Sequence, residues 1–348
     1  MIRVLVVEDS PTVAQLLISM LESDPELNVV GLATDGVEAI AEARRLAPDV
    51  ITMDVQMPVL DGLEATREIM TVAPTPIIVV SSAANQDSVS LSLDATAAGA
   101  LMVLPKPDGP GGRDSEDFEA QRRLLVSMVR AMSQVKVVRR WAPRHGSIQQ
   151  LPLGFPMSRR PERVSAILIG CSTGGPAALR ELFSHLPPGF PVPIVVVQHI
   201  ARGFVKGLAT WLESGSHFRV RVARAGDALR AGTVLLAPDN LHTGLGRNGR
   251  IQLSDTPAIG GFKPSISHLF SSAAASVGSG VAGVLLTGMG NDGVSGMADL
   301  QAAGAPLLVQ DEASSVVFGM AQEAVRAGLP AAVLPLDGIA SRLVELAG

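Results

Sequence analysis

Only one cysteine, Cys171, occurs in 348 residues, which excludes an internal disulfide and any multi-cysteine zinc site. Tyrosine is absent and aromatic residues make up only 3% of the chain, so base stacking on a nucleic acid has little to work with. Positive charge is not in excess either: the net charge of −5 argues against a basic nucleic-acid surface. No apolar run approaches the roughly 18 residues of a membrane span, and the amino terminus enters an apolar strand with no secretory pattern. A cytoplasmic protein with no membrane insertion is expected. What is present is ordinary for a globular protein, 47% hydrophobic and 18% charged, in a length that suits two or three domains.

The chain is organised around the stretch Ile167 to Pro176, Ile-Leu-Ile-Gly-Cys-Ser-Thr-Gly-Gly-Pro. An apolar run from Val164 to Ile169 reads as a strand, a hydroxyl-rich turn follows, and Ala177, Ala178, Leu179, Leu182 and Phe183 repeat at helical spacing. Such a turn lifts Ser172 to the carboxyl end of a strand beside free helix amides, which makes it a candidate nucleophile. Three other readings fit the turn alone: a simple helix cap, the G-x-S-x-G of an α/β-hydrolase, and a dinucleotide-binding loop.

Residues 1–138 alternate buried strands with amphipathic helices. Strands are expected at Arg3 to Val7, Asn28 to Ala33, Val50 to Met53, Pro76 to Val80 and Ala100 to Val103, which makes a doubly wound parallel sheet. Glu8, Asp9, Asp54, Ser81 and Lys106 then fall together on the carboxyl rim. Clustered carboxylates repel unless a hard cation sits among them, and oxygen-only ligation suits Mg²⁺. Capping by acids would explain Glu8 and Asp9, but not a hydroxyl and a lysine at two further strand ends.

This region resembles the receiver domain of bacterial response regulators, which is flavodoxin-like. The matching pieces are Val6-Val7-Glu8-Asp9-Ser10, Met53-Asp54-Val55-Gln56-Met57-Pro58 with Asp61-Gly62, Val80-Ser81-Ser82 and Lys106-Pro107. The resemblance implies that Asp54 is the phospho-acceptor, that Glu8, Asp9, Asp54 and the Gln56 carbonyl hold Mg²⁺, and that Ser81 and Lys106 contact the phosphoryl oxygens. Val103 stands where receivers usually carry an aromatic switch residue. Residues 139–163 mix prolines with six arginines without periodicity, and are expected to form a flexible linker.

In residues 164–348 the next buried strand, Val192 to Val197, ends in Gln198-His199. A dinucleotide loop would want an acidic residue at that strand end, so the imidazole argues against it. A third strand, Val281 to Thr287, runs into Gly-Met-Gly-Asn-Asp-Gly, where Asp292 offers a carboxylate to orient His199. The order Ser, His, Asp differs from the Ser, Asp, His of α/β-hydrolases. A hydrolase order built from Asp239 or Asp255 with His242 or His268 stays formally open, since all four follow Ser172 in the chain.

This half resembles the catalytic domain of the chemotaxis protein-glutamate methylesterases, and receiver, linker, esterase is that family's order. The resemblance rests on Ile169 to Gly175, Gln198-His199, Ala237-Pro238-Asp239, Lys263-Pro264-Ser265, Leu286 to Gly293, Gln310 to Ser314 and Val317 to Met320. It implies two doubly wound parallel-sheet domains, and a triad of Ser172 as nucleophile, His199 as general base and Asp292 as its orienting acid. The Met289 amide, supported by Thr173, is expected to form the oxyanion hole, with no metal at this centre. Implied partners are methylated chemoreceptor cytoplasmic helices as substrate and a chemotaxis-type histidine kinase as phosphodonor; no nucleic acid is expected. The implied reactions are hydrolysis of glutamyl methyl esters and deamidation of receptor glutamines, with the unphosphorylated receiver packed over the esterase cleft. Cys171 replaces a usual Ala, Ala321 a frequent Pro, and Ser267 a frequent acid. A regulatory docking protein with weak esterase activity is the competing function, and an intact Ser, His and Asp argue against it.

Overall fold

The computed structural model describes residues 1–82, 86–107, 116–135, 137 and 163–348. The expected linker, residues 139–163, lies outside the described residues but for Arg163. In the amino-terminal part, β1 (Ile2–Val7), α1 (Pro11–Leu21), β2 (Leu27–Ala33), α2 (Gly36–Leu46), β3 (Val50–Met53), α3 (Gly62–Val72), β4 (Ile77–Ser81), α4 (Gln86–Ala98), β5 (Met102–Pro105) and α5 (Glu116–Met132) alternate along the chain. The strands pair in the order β2-β1-β3-β4-β5, all parallel. The apolar runs of β1, β3 and β4 are buried on both faces by the helices, which is why they read as continuous rather than alternating, whereas β2 at the sheet edge is only partly covered.

The last strand begins two residues later than Ala100. The Ala100 amide closes the end of α4 on the Ala95 carbonyl, and Leu101, whose amide still donates to the Ile77 carbonyl of β4, turns its own carbonyl onto the amide of Gly174. Those two residues are spent on a turn and on a contact with the second half of the molecule.

That half contains β6 (Ala166–Cys171), α6 (Gly175–His185), β7 (Ile194–Gln198), α7 (Val205–Ser214), β8 (Arg219–Val222), β9 (Thr233–Leu236), β10 (His242–Leu245), β11 (Ile251–Ser254) and α8 (Ile266–Ser276). It continues with β12 (Val281–Leu285), α9 (Val294–Ala302), β13 (Leu307–Gln310), α10 (Met320–Arg326), β14 (Ala332–Leu334) and α11 (Leu336–Ala347). Seven parallel strands run in the order β14-β13-β12-β6-β7-β9-β8, and β10 and β11 form a separate antiparallel pair. The chain starts in the middle at β6, builds outward through β7, then returns to build the other side from β12. The carboxyl end of β6 is therefore the topological switch point, where open α/β sheets leave a crevice. Among the described residues no helix is long and apolar enough to cross a membrane.

The two halves meet through α4, which packs on α6 and α7. Val89 of α4 fills the space left by the missing side chain of Gly207 on α7. Asp94 of α4 accepts hydrogen bonds from Trp211 Nε1 at 2.8 Å and Arg180 Nη1 at 3.2 Å.

Candidate functional site

Ser172 directly follows β6, in a turn laced to both neighbouring strands. Its amide donates to the Thr287 carbonyl beyond β12 at 3.0 Å, while the Cys171 carbonyl before it accepts from the His199 amide beyond β7 at 2.9 Å. Gly174 caps α6 at φ 76°, a conformation that favours glycine, and a side chain there would also meet Val316. The N-cap Gly174 has no side chain, and among the described residues the Ser172 hydroxyl makes no bond to the helix amides. The neighbouring thiol points the other way: Cys171 is fully buried and donates to Gln198 Oε1 at 3.0 Å, and burial pushes its pKa far up. Gln198 in turn donates from Nε2 to the Ser172 and His199 carbonyls, at 2.8 Å each, so its amide staples the two strand ends.

His199 and Asp292 meet at 3.0 Å, between Nε2 and Oδ2. The carboxylate lies against the amino terminus of α8, where it accepts from the amides of Ile266 (2.7 Å) and Ser267 (3.0 Å) and from the Ser265 hydroxyl (2.9 Å). Burial alone would raise its pKa, but the bond to His199 and the two helix amides outweigh it and hold Asp292 down at about 2. An ionised carboxylate only accepts, so His199 carries its proton on Nε2 and its lone pair on Nδ1. Nδ1 is buried and has no partner among the described residues. Ser172 makes no hydrogen bond to it in this state, although both residues line one cleft.

That cleft also takes in Thr173, Met289 and Phe262. The Thr287 hydroxyl donates to the Thr173 carbonyl at 2.9 Å and accepts from the Val317 amide at 2.9 Å, tying the nucleophile turn to the loop after β12. Gly288 sits where a side chain would press on Ser172, and no described residue accepts from the Met289 amide. The opposite wall comes from the amino-terminal half: Leu101, Met102, Val103, Leu124 and Met128.

The alternative hydrolase partners are engaged elsewhere. His242 is fully buried, donating from Nε2 to the Pro257 carbonyl (3.0 Å) and accepting on Nδ1 from the Ser265 amide (3.1 Å), which leaves no nitrogen for a serine. His268 stacks on it at 4.9 Å, and burial lowers its pKa. Asp239 accepts from the Gly203 amide, and Asp255 pairs with Lys263 on an exposed loop.

On the other rim, ligand atoms of Glu8, Asp9 and Asp54 lie within 4.8 Å of one another. Lys106 Nζ donates to Asp54 Oδ2 at 2.8 Å and to Glu8 Oε1 at 2.9 Å. Burial raises the pKa of both carboxyls against the lowering by Lys106, and Glu8 Oε2 is buried with no partner among the described residues. An orphaned buried oxygen beside two further carboxylates fits a hard divalent cation such as Mg²⁺. Gln56 enters through its amide, which donates to Asp54 Oδ1 at 3.2 Å; a metal bond from its carbonyl rests on resemblance alone. Ser81 ends β4, the strand next to β3, which Asp54 follows.

Residues 167–343 match the CheB methylesterase family, and residues 4–111 the response regulator receiver domain. A protein of Myxococcus xanthus named protein-glutamate methylesterase/protein-glutamine glutaminase 4 is 48% identical over 99% of this chain and 96% of its own. The chain belongs to the CheB methylesterase family. An Anaeromyxobacter dehalogenans relative, named protein-glutamate methylesterase/protein-glutamine glutaminase 3, is 49% identical over 99% of this chain and 98% of its own. The crystal structure of the Thermotoga maritima CheB methylesterase catalytic domain aligns with 53% of this chain and 98% of that one, at TM-score 0.51 and 37% identity.

Reading the sequence missed the work of Gln198, Ser265 and Phe262 in this CheB-type site. Ser265 was within reach, because a Pro-Ser before an apolar helical run is an N-cap signature, and Ser265 does cap α8 by accepting from the His268 amide. Gln198 and Phe262 have no such local mark, since the contacts that matter to the site, with the Ser172 carbonyl and the His199 ring, are made to residues far away in sequence.

Proposed function

We propose that the chain hydrolyses glutamyl methyl esters on chemoreceptor cytoplasmic helices and deamidates receptor glutamines, under control of phosphorylation at Asp54. The observation that carries this reading is the Asp292 carboxylate, held ionised at the α8 terminus and bonded to an imidazole whose other nitrogen is free in the cleft of Ser172.

Ser172 Oγ attacks the γ-carbonyl carbon while its proton passes to His199 Nδ1. Asp292 keeps the imidazole in the Nε2–H form and stabilises the imidazolium. The Met289 amide, supported by the Thr173 turn, receives the developing oxyanion. As the tetrahedral centre collapses, His199 returns its proton to the methoxy oxygen and methanol leaves. Water then repeats the cycle on the acyl-enzyme, releasing glutamate and restoring the Ser172 hydroxyl. With a glutamine substrate the leaving group is ammonia and the same residues act.

At the receiver, Glu8, Asp9, Asp54 and the Gln56 carbonyl would hold Mg²⁺, which neutralises charge between Asp54 and the phosphodonor. Lys106 already lies on Asp54 and, with Ser81, would take the phosphoryl oxygens. The donor is a chemotaxis-type histidine kinase, and the cytoplasm is where it and the receptor tails meet. The receiver wall across the cleft supports restraint of the unphosphorylated enzyme. Methanol release from methylated receptor membranes, with and without a small-molecule phosphodonor, tests the reading. Release that rises with phosphodonor and vanishes in Ser172→Ala is expected, and release that survives Ser172→Ala would reject it.

A further inference from the structure

The ring of Phe262 lies flat on the imidazole of His199, with centroids 4.3 Å apart and planes inclined by 8°. It is held there by its own loop. Phe262 and Ile259 exchange two backbone hydrogen bonds, at 3.0 and 3.1 Å, and the following Lys263 pairs with Asp255. The ring lines both the Ser172 cleft and a second cleft on the far side of Asp292. One face of the imidazole is thus covered by an aromatic face.

A neutral imidazole in this position gains dispersion only, whereas an imidazolium also gains the attraction of the ring quadrupole for a cation. The stack is therefore stronger in the protonated state that the reaction creates than in the resting state, which is the condition for accelerating a step. We propose that Phe262 is a positioning residue for this reaction, fixing the plane of the His199 ring and stabilising its imidazolium through the face it presents. The proposal rests on the reading of His199 as general base.

The charge environment leaves this contribution visible. In the Ser172 cleft the titratable side chains are His199 and Lys263, the latter engaged with Asp255, and the receiver wall is apolar but for Thr96. The second cleft holds Asp292, Glu323 and Arg326, of which Asp292 bonds the imidazole. Cys171, whose carbonyl accepts from the His199 amide, carries an un-ionised thiol turned onto Gln198. Covering a face also removes water, which by itself disfavours the charged ring, so desolvation and quadrupole predict opposite signs.

The experiment uses the phosphorylated full chain with Phe262 replaced by Leu, by Trp and by pentafluorophenylalanine, the last keeping the shape while reversing the quadrupole. NMR of ring-labelled histidine, assigned with His199→Gln, reads the His199 midpoint without any turnover. Methanol release from methylated receptor membranes gives kcat, KM and the pH profile of kcat/KM. For Phe262→Leu and the pentafluoro ring we expect a midpoint lower by about half to one pH unit, kcat lower by about three- to tenfold and KM within about twofold. Phe262→Trp retains both midpoint and rate. A midpoint unchanged or raised in the pentafluoro protein overturns the proposal, as does a Trp variant that behaves like Leu. Should Ser172→Ala stay active, the esterase reading fails by that result alone, while the midpoints still decide the stack.

Discussion

Asp94→Ala should switch on the unphosphorylated enzyme. Asp94 stands on α4 and takes two hydrogen bonds from the catalytic half, one from Trp211 Nε1 at 2.8 Å and one from Arg180 Nη1 at 3.2 Å, while the Arg180 guanidinium rests on the Trp211 ring at 4.3 Å. The Asp94 and Arg180 side chains are each 36% exposed, so the ion pair is discounted to about 0.5 kcal/mol. The indole bond, discounted below the usual strength of a charged acceptor because solvent reaches Asp94, adds about 1–1.5 kcal/mol. Together they favour the packed arrangement by about 1.5–2 kcal/mol, or roughly 10- to 30-fold in the ratio of covered to uncovered cleft. Val89 against Gly207 and the Leu101 carbonyl on the Gly174 amide remain, so the receiver still docks, but less often. Initial rates of methanol release from methylated receptor membranes measure the effect, with the fragment Val164 to Gly348 as the ceiling. Basal release should rise by about tenfold, and the phosphorylated rate should stay the same. If Asp94→Ala were within twofold of the parent while the fragment ran far faster, the latch would be refuted. A fragment no faster than the unphosphorylated full chain would refute occlusion itself.

Ser172→Ala should abolish release at unchanged thermal stability, because the hydroxyl caps no helix, whereas Cys171→Ala should be nearly fully active and the buried thiol slow to alkylate. Asp54→Asn should keep basal activity but resist activation by phosphodonor in the same assay. Because burial raises the folded pKa of Asp54, its ionisation opposes folding once pH exceeds the unfolded value, so denaturant melts at pH 7 should show Asp54→Asn more stable than the parent and equal to it in acid. Asp292 has the opposite sign: held at about 2, it contributes about 2 kcal/mol that is complete above about pH 4 and is lost as pH falls towards 2. Acid denaturation of Asp292→Asn should lack that portion of the pH slope, and a parent-like slope would contradict it.

Strand ends were legible because a buried parallel strand is a continuous apolar run that stops where polarity begins, so Glu8, Asp54, Ser172 and His199 could be placed on rims from sequence. The receiver sheet, the strands β6, β7 and β12, and the chain order of the three expected catalytic residues follow from such local signals; β8, β9, β13 and β14, which complete the second sheet, were not read from them. The start of β5 was misread because Ala100 and Leu101 look like strand residues, and only the bond of the Ala100 amide to Ala95 and of the Leu101 carbonyl to Gly174 interrupts the pairing there. No local pattern could show that Asp292 is fastened to α8, that Gln198 staples two strand ends, or that Phe262 lies on His199. Those contacts join residues from 25 to 63 positions apart, and they depend on which strand returns beside β6. Which nitrogen of His199 is left free was likewise decided by tertiary structure, since the Nε2 proton follows from where Asp292 sits. The sequence by itself determined the elements, the rims and the residue types available for chemistry, because these follow from periodicity and burial over a few residues. Only the tertiary structure decided hydrogen-bond direction, the burial that moves each pKa, and the receiver face that closes the cleft, because each is set by atoms brought together across the whole chain.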